Sequence, residues 1–130
     1  MSPQRQDYLL RLIEELGRFV RAALSPGERH RAEAALPALV EAQEKLFAMP
    51  APEFLGRTPE AQVELLAKGE SDATAVEKCL TQAAILEYAA ELYDAADRPA
   101  LALGSRQWAA AIREAVVTRW PGLAAKTDDR

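Results

Sequence analysis

Apolar residues recur along this chain at three- and four-residue spacing, and no stretch has the strict alternation of a strand. The first stripe runs through Leu9, Leu12, Ile13, Leu16, Phe19, Val20, Ala23 and Leu24, with Arg11, Glu14, Glu15, Arg18 and Arg21 on the other face. Ser2-Pro3 opens this first helix as an N-cap followed by proline at the first helical position. Gly17 falls inside it at a cost of about 1 kcal/mol relative to alanine, which predicts a close approach by another helix. Ser25-Pro26-Gly27-Glu28 has the make-up of a capping box, so a short turn should lead into an antiparallel second helix ending near Met49. Leu36, Leu39, Val40, Leu46 and Phe47 face inward along it. Pro37 should kink or split it, because proline removes a backbone donor and crowds the preceding turn.

Met49-Pro50-Ala51-Pro52 ends the second helix, and Glu53-Phe54-Leu55 has room for a single turn before Gly56. Thr58-Pro59-Glu60 repeats the cap-proline pattern and starts a short third helix to about Lys68, closed by Gly69 where a left-handed residue is easiest. Ser71-Asp72 opens a fourth helix to about Ala96. One side of it carries Val76, Cys79, Leu80, Ala83, Leu86, Ala90 and Tyr93, the other Ile85, Tyr88, Ala89 and Leu92. A helix apolar on two sides is expected at the centre of a fold. Asp97-Arg98-Pro99 turns the chain into a fifth helix, Ala100 to about Trp120, with Leu101, Trp108, Ile112, Val116 and Trp120 in its stripe. Pro121-Gly122 stops it. The pattern predicts an all-α fold of about five helices, one domain over residues 1–122 with a flexible tail over 123–130.

The segment from Leu86 to Ala109 resembles a tetratricopeptide unit. With Leu86 at its fourth position, Ala89 and Ala90 fall at the family's leucine and small residue. Tyr93 then falls at the aromatic of its first helix, and Ala102 and Ala109 at its small residues. Asp97 stands at the usual turn glycine, Pro99 at the following aromatic and Arg106 at an aromatic of the second helix. The first two helices form a looser version of the same hairpin, with Leu16-Gly17 at the leucine–small pair. The opening Asp7-Tyr8-Leu9-Leu10-Arg11-Leu12-Ile13-Glu14 is similar to the start of a family of short bacterial all-helical proteins of unknown function, whose C-terminal hairpin is tetratricopeptide-like. The resemblance implies two antiparallel tetratricopeptide-like hairpins joined by a short helix. It brings no activity, cofactor or site residues.

Composition sharpens this picture. Of 130 residues, 49% are hydrophobic and 28% charged, which places the chain among folded domains and away from disordered ones. No apolar run approaches the roughly 20 residues of a membrane span, and MSPQRQDYLL lacks the pattern of a signal peptide. With the single cysteine Cys79, these features point to a bacterial-type cytoplasmic protein. The net charge of -4 is unevenly spread: +2 over residues 1–31, -9 over 32–97 and +3 over 98–130. Such a balance disfavours nonspecific nucleic-acid binding, which needs a concentrated basic face. It suits a basic partner, or basic ends that pack against the chain's own acidic middle.

Candidate chemistry is sparse. His30 is the only histidine, so the common zinc and di-iron ligand sets are excluded by count, and it reads as a surface residue of Arg29-His30-Arg31. Cys79 lies on an apolar face and reads as core packing, and Trp108 and Trp120 sit at stripe spacing. No glycine-rich phosphate loop or nucleophile elbow is present, and no cofactor is expected. In tetratricopeptide units the first helix lines a groove, and Glu87, Glu91 and Asp94 occupy the matching face here, with Ala84 and Ala95 beside them. Three carboxylates there suit a Lys- or Arg-bearing peptide, and also suit an ordinary solvated face. The expectation is a noncatalytic helical interaction module for another protein or a basic peptide, or for a second copy through the apolar surface of the first and fifth helices. Two rivals are an enzyme or ligand-binding protein with a pocket near Tyr8, Glu14 and Tyr88, and a nucleic-acid binder using Arg18, Arg21, Arg29 and Arg31.

Overall fold

A helix with apolar residues on more than one side needs neighbours all round, and α5 (Asp72–Ala95) has them: it packs against α1 (Pro3–Ala23), α2 (Arg29–Phe47), α4 (Pro59–Ala67) and α6 (Pro99–Arg119). The computed structural model describes residues 3–24 and 29–123, and within these the chain is all-α, with no strand. The Ser2 cap and the Ser25–Glu28 capping box lie outside the described residues. Val76, Cys79, Ala83, Ile85 and Leu92 of α5 form the centre of one continuous core with Val20, Leu39, Phe54, Leu66, Ile112 and Val116.

Local chemistry sets most helix ends where the pattern places them. Thr58 Oγ1 accepts the Ala61 N–H at 3.1 Å with Pro59 at the first helical position, and Ser71 Oγ accepts the Thr74 N–H at 3.3 Å. Gly69 takes φ +73° and lets Glu70 N–H reach the Ala67 carbonyl at 3.1 Å, a turn that closes α4. The helices α2 and α5 end alike, on a left-handed residue that is not glycine. Ala48 (φ 58°) brings Met49 N–H to the Glu44 carbonyl at 3.3 Å, and Asp97 (φ 63°) brings Arg98 N–H to the Tyr93 carbonyl at 2.8 Å. Both are the six-to-one bond of a Schellman ending.

The helix count departs from about five: there are seven helical segments among the described residues. One addition is α3 (Ala51–Phe54), a four-residue helix where the pattern left room for a single turn over Glu53-Phe54-Leu55. Its first N–H is capped from outside by the Glu44 carboxylate at 2.8 Å. Its last residue, Phe54, stacks on Phe47 with centroids 4.3 Å apart and rings 3° from parallel. The other is a helical turn over 121–123, which restarts after Trp120 leaves helical geometry at φ -134°, ψ 63°. Pro37 does not split α2, which runs unbroken through it. Pro37 and Glu33 are both on the exposed side, so water can reach the Glu33 carbonyl that proline leaves without a helical donor.

Gly17 marks the close approach expected on α1. A Cβ built there would stand 2.9 Å from the Tyr88 hydroxyl of α5 and 3.6 Å from the ring carbon that carries it. Arg21 Nη1, at 3.3 Å, is the far end of a flexible side chain and can give way, so the Tyr88 hydroxyl is the main obstacle. Gly17→Ala alone should therefore leave stability unchanged or lower it, as the helix-propensity gain is offset by a displaced Tyr88. In a Tyr88→Phe background the same change should stabilise by about 1 kcal/mol in urea unfolding. Equal effects in the two backgrounds would show that the hydroxyl does not set this contact.

Candidate functional site

A cavity of about 570 Å³ opens between α2, α5 and α6, and none of its lining residues is charged. Leu36 and Val40 come from α2, Leu86, Ala89 and Tyr93 from α5, and Leu101 and Trp108 from α6. Leu55, just after α3, closes one side. Leu55 and Leu101 remain 49% and 51% exposed, so the apolar surface continues from the cavity onto the outside of the molecule.

Three glutamines also line this cavity, and all are buried: Gln43 on α2 is 5% exposed, Gln62 on α4 2% and Gln82 on α5 1%. They form a directed chain. Gln43 Nε2 donates to Gln82 Oε1 at 3.1 Å, Gln82 Nε2 donates to Gln62 Oε1 at 3.3 Å, and Gln62 Nε2 donates to the Phe54 carbonyl at 3.0 Å. Trp108 Nε1 of α6 also donates to Gln62 Oε1, at 3.1 Å. The amide orientations are set by the ends. An indole N–H can only donate and a backbone carbonyl can only accept, so Gln62 must turn its oxygen to Trp108 and its nitrogen to Phe54. Gln82 must then present nitrogen to Gln62 and oxygen to Gln43. The last atom of the series, Gln43 Oε1, accepts nothing among the described residues. The Ser105 hydroxyl of α6 spends its proton on the Leu86 carbonyl, at 2.6 Å.

The acidic face on α5 is largely occupied from within. Glu87 is gripped by both arms of Arg113, Nε to Oε2 at 3.0 Å and Nη2 to Oε1 at 2.8 Å. Asp94 pairs with Arg106, and Glu91 is exposed between them. Two further pairs, Arg98 with Glu33 and Arg119 with Glu64, tie α6 to α2 and α4. Four arginines of the basic C-terminal stretch thus each meet an acid of the central segment, the self-packing that the charge distribution allows. All are partly exposed, so each contributes on the order of 0–1 kcal/mol.

The other residues considered lie apart. Tyr8 and Glu14 are exposed on α1, and Tyr88 of α5 turns its hydroxyl toward Gly17 of that helix. Arg18, Arg21, His30 and Arg31 are exposed, and the Arg29 side chain lies outside the described residues. Trp120 is in the core with Arg119 over its ring, 4.7 Å from the centroid, whereas Trp108 sits at the core's edge. Among the described residues, no group of three or more His, Cys, Asp or Glu could hold a metal ion, and no helix is long and apolar enough to cross a membrane. No protein-family model, curated protein or solved structure matches this chain.

The glutamine chain was not picked out from the sequence, although a signal existed. Gln43 lies between Leu39 and Leu46, and Gln82 between Cys79 and Leu86, each a polar residue in register with an apolar stripe. The structure gives each a different weight. Gln62→Leu strands the Trp108 N–H, the Gln82 N–H and the Phe54 carbonyl together, and should cost about 2–4 kcal/mol in urea unfolding. Gln43→Leu strands one acceptor and should cost about 1 kcal/mol. Similar costs at the two positions would rule out a chain that converges on Gln62.

Cys79 is fully buried, as its apolar setting predicts. Burial pushes its thiol up to about 12, opposed more weakly by Arg119 and Lys78. The unfolded chain loses this proton near the ordinary value of about 8.5, while the folded chain keeps it. Stability from the protonated thiol is thus complete below about pH 8 and falls as pH rises toward the folded value. Relative to Cys79→Ala, the protein should lose about 2 kcal/mol of stability between about pH 8 and about pH 10. A pH-independent difference would mean that the thiol ionises freely in the fold.

Proposed function

We propose that this chain is a noncatalytic helical interaction module, and that its binding face is the uncharged groove between α2, α5 and α6 rather than the acidic face of α5. The observation that carries this reading is the continuity of the groove with half-exposed Leu55 and Leu101. Apolar surface that extends beyond a cavity suits a protein segment with several side chains to bury. The tetratricopeptide resemblance agrees with it. Ala90, Ala102 and Ala109 are buried where that resemblance puts small residues, and Asp97 adopts the left-handed conformation that a turn glycine would supply. The acidic face is the weaker candidate, since a basic peptide would have to compete with Arg113 and Arg106 for Glu87 and Asp94.

Affinity capture from the native organism with three baits tests this. A partner held by the wild-type protein should be kept by Glu91→Arg and lost with Leu101→Asp, with helicity by circular dichroism unchanged in both. Loss with Glu91→Arg alone would move the site to the acidic face. Recovery of the same partner by Leu101→Asp would end the groove reading. A second reading, self-association, is favoured by Tyr8, Leu10 and Phe19, which stand 45%, 55% and 44% exposed along α1. Sedimentation should then show a concentration-dependent dimer that Phe19→Asp abolishes, and a monomer at every concentration would exclude it.

A further inference from the structure

The helix α1 carries a second stripe besides the one it buries. Leu9, Leu16, Val20 and Ala23 lie in the core, as an amphipathic helix requires. Tyr8, Leu12, Glu15 and Phe19 follow one another at spacings of four, three and four, which sets all four on one line along the helix. Leu12, on the core side of that line, is half-buried, while Tyr8, Glu15 and Phe19 are exposed. Arg11 borders the line on its solvent side, next to Glu15, and is exposed as well. Neither Arg11 nor Glu15 has an ion-pair partner among the described residues. Leu10 stands about 200° round the helix from Tyr8 and belongs to neither stripe.

We infer that this stripe is the contact face for a second copy of this chain, with the two α1 helices side by side and antiparallel, Tyr8 of each copy opposite Phe19 of the other. The face is its own complement in that register. A two-fold axis passing between positions 13 and 14 brings Tyr8 against Phe19 twice and Leu12 against the stem of Glu15 twice. It also sets each Glu15 within one residue's rise of the other copy's Arg11, on the same flank of the pair, so two salt bridges form across the axis. A parallel pair has the opposite effect, since it places Glu15 directly against Glu15. The acid and the base that a foreign partner would have to match are thus both present on this helix. Three turns of paired helix make a small interface, so the dimer forms at high concentration and dissociates on dilution. This inference rests on the self-association reading and adds its orientation and its contacts.

The test uses the whole chain, with Cys79 left in place because it is fully buried. Tyr8→Cys and Phe19→Cys are mixed under mild oxidation and the products weighed by mass spectrometry. The mixture should yield a disulfide-linked pair of one Tyr8→Cys and one Phe19→Cys chain. Either variant alone should stay unlinked, since like positions lie about 16 Å apart along antiparallel helices. In sedimentation, Glu15→Arg should weaken the dimer about tenfold, because like charges then meet at two symmetric places. Adding Arg11→Glu to it should restore the wild-type level, with helicity by circular dichroism unchanged throughout. Linkage of Tyr8→Cys to itself overturns the antiparallel arrangement, and failure of the double reversal to restore the dimer overturns the charge pairing. A wild-type dimer that survives Phe19→Asp overturns the α1 contact while leaving self-association standing. A monomer at every concentration removes both.

Discussion

A carboxamide withdrawn from water must satisfy its oxygen and nitrogen within the protein, and Gln62 does so by drawing on four other elements. Its nitrogen meets the end of α3, and its oxygen takes one donor from α5 and one from α6. Through Gln82 it also reaches α2. Apolar packing alone would tolerate α4 sliding along α5 by a turn, since leucine and valine contacts are not directional. The hydrogen bonds do not. A slide would strand an indole N–H, an amide and a backbone carbonyl in a place that excludes water. The glutamines therefore select one helix register, and the groove inherits its shape and polarity from that choice.

Charge works differently. Arg98 at the start of α6 and the arginines within α6 find acids on α2, α4 and α5, but their side chains remain partly in solvent, where screening leaves little net energy. Their effect is on what the surface can offer. By neutralising Glu87 and Asp94, Arg113 and Arg106 remove most of the acidic face that the α5 sequence displays in isolation. Of the three acids only Glu91 keeps its carboxylate exposed without an arginine, beside an apolar groove that carries no charge.

The all-helical class and most helix limits could be read directly, because they depend on residues near one another in the chain. Thr58, Gly69 and Ser71 act within three residues of themselves, and the several apolar faces of α5 announced its central place. The central segment's charge announced that something basic would meet it. Other features depend on residues far apart. The short helix α3 exists because Glu44 caps it and Phe47 stacks on it, and neither relation has a local mark. Pro37 looked disruptive because periodicity does not reveal that the affected carbonyl lies on a wet face. Glu87, Glu91 and Asp94 were correctly placed along one helix, yet Arg106 and Arg113 lie on the next one, so their neutralising role appeared only with the fold. Gln62 is the clearest case. Its neighbours show that it should be inside, but its partners come from three directions.

The turn at Asp97 carries a consequence for the order in which the molecule assembles. It joins α5 and α6 through a few residues, so the entropy of bringing these two helices together is small. Docking α1 or α2 onto α5 requires a much longer stretch of chain to close. On loop-closure entropy alone the C-terminal hairpin costs least to close. The groove, however, also needs Leu36, Val40 and Gln43 of α2, which lie far from that hairpin along the chain. The same wall is the one whose partial undocking would reopen the groove while leaving the hairpin intact.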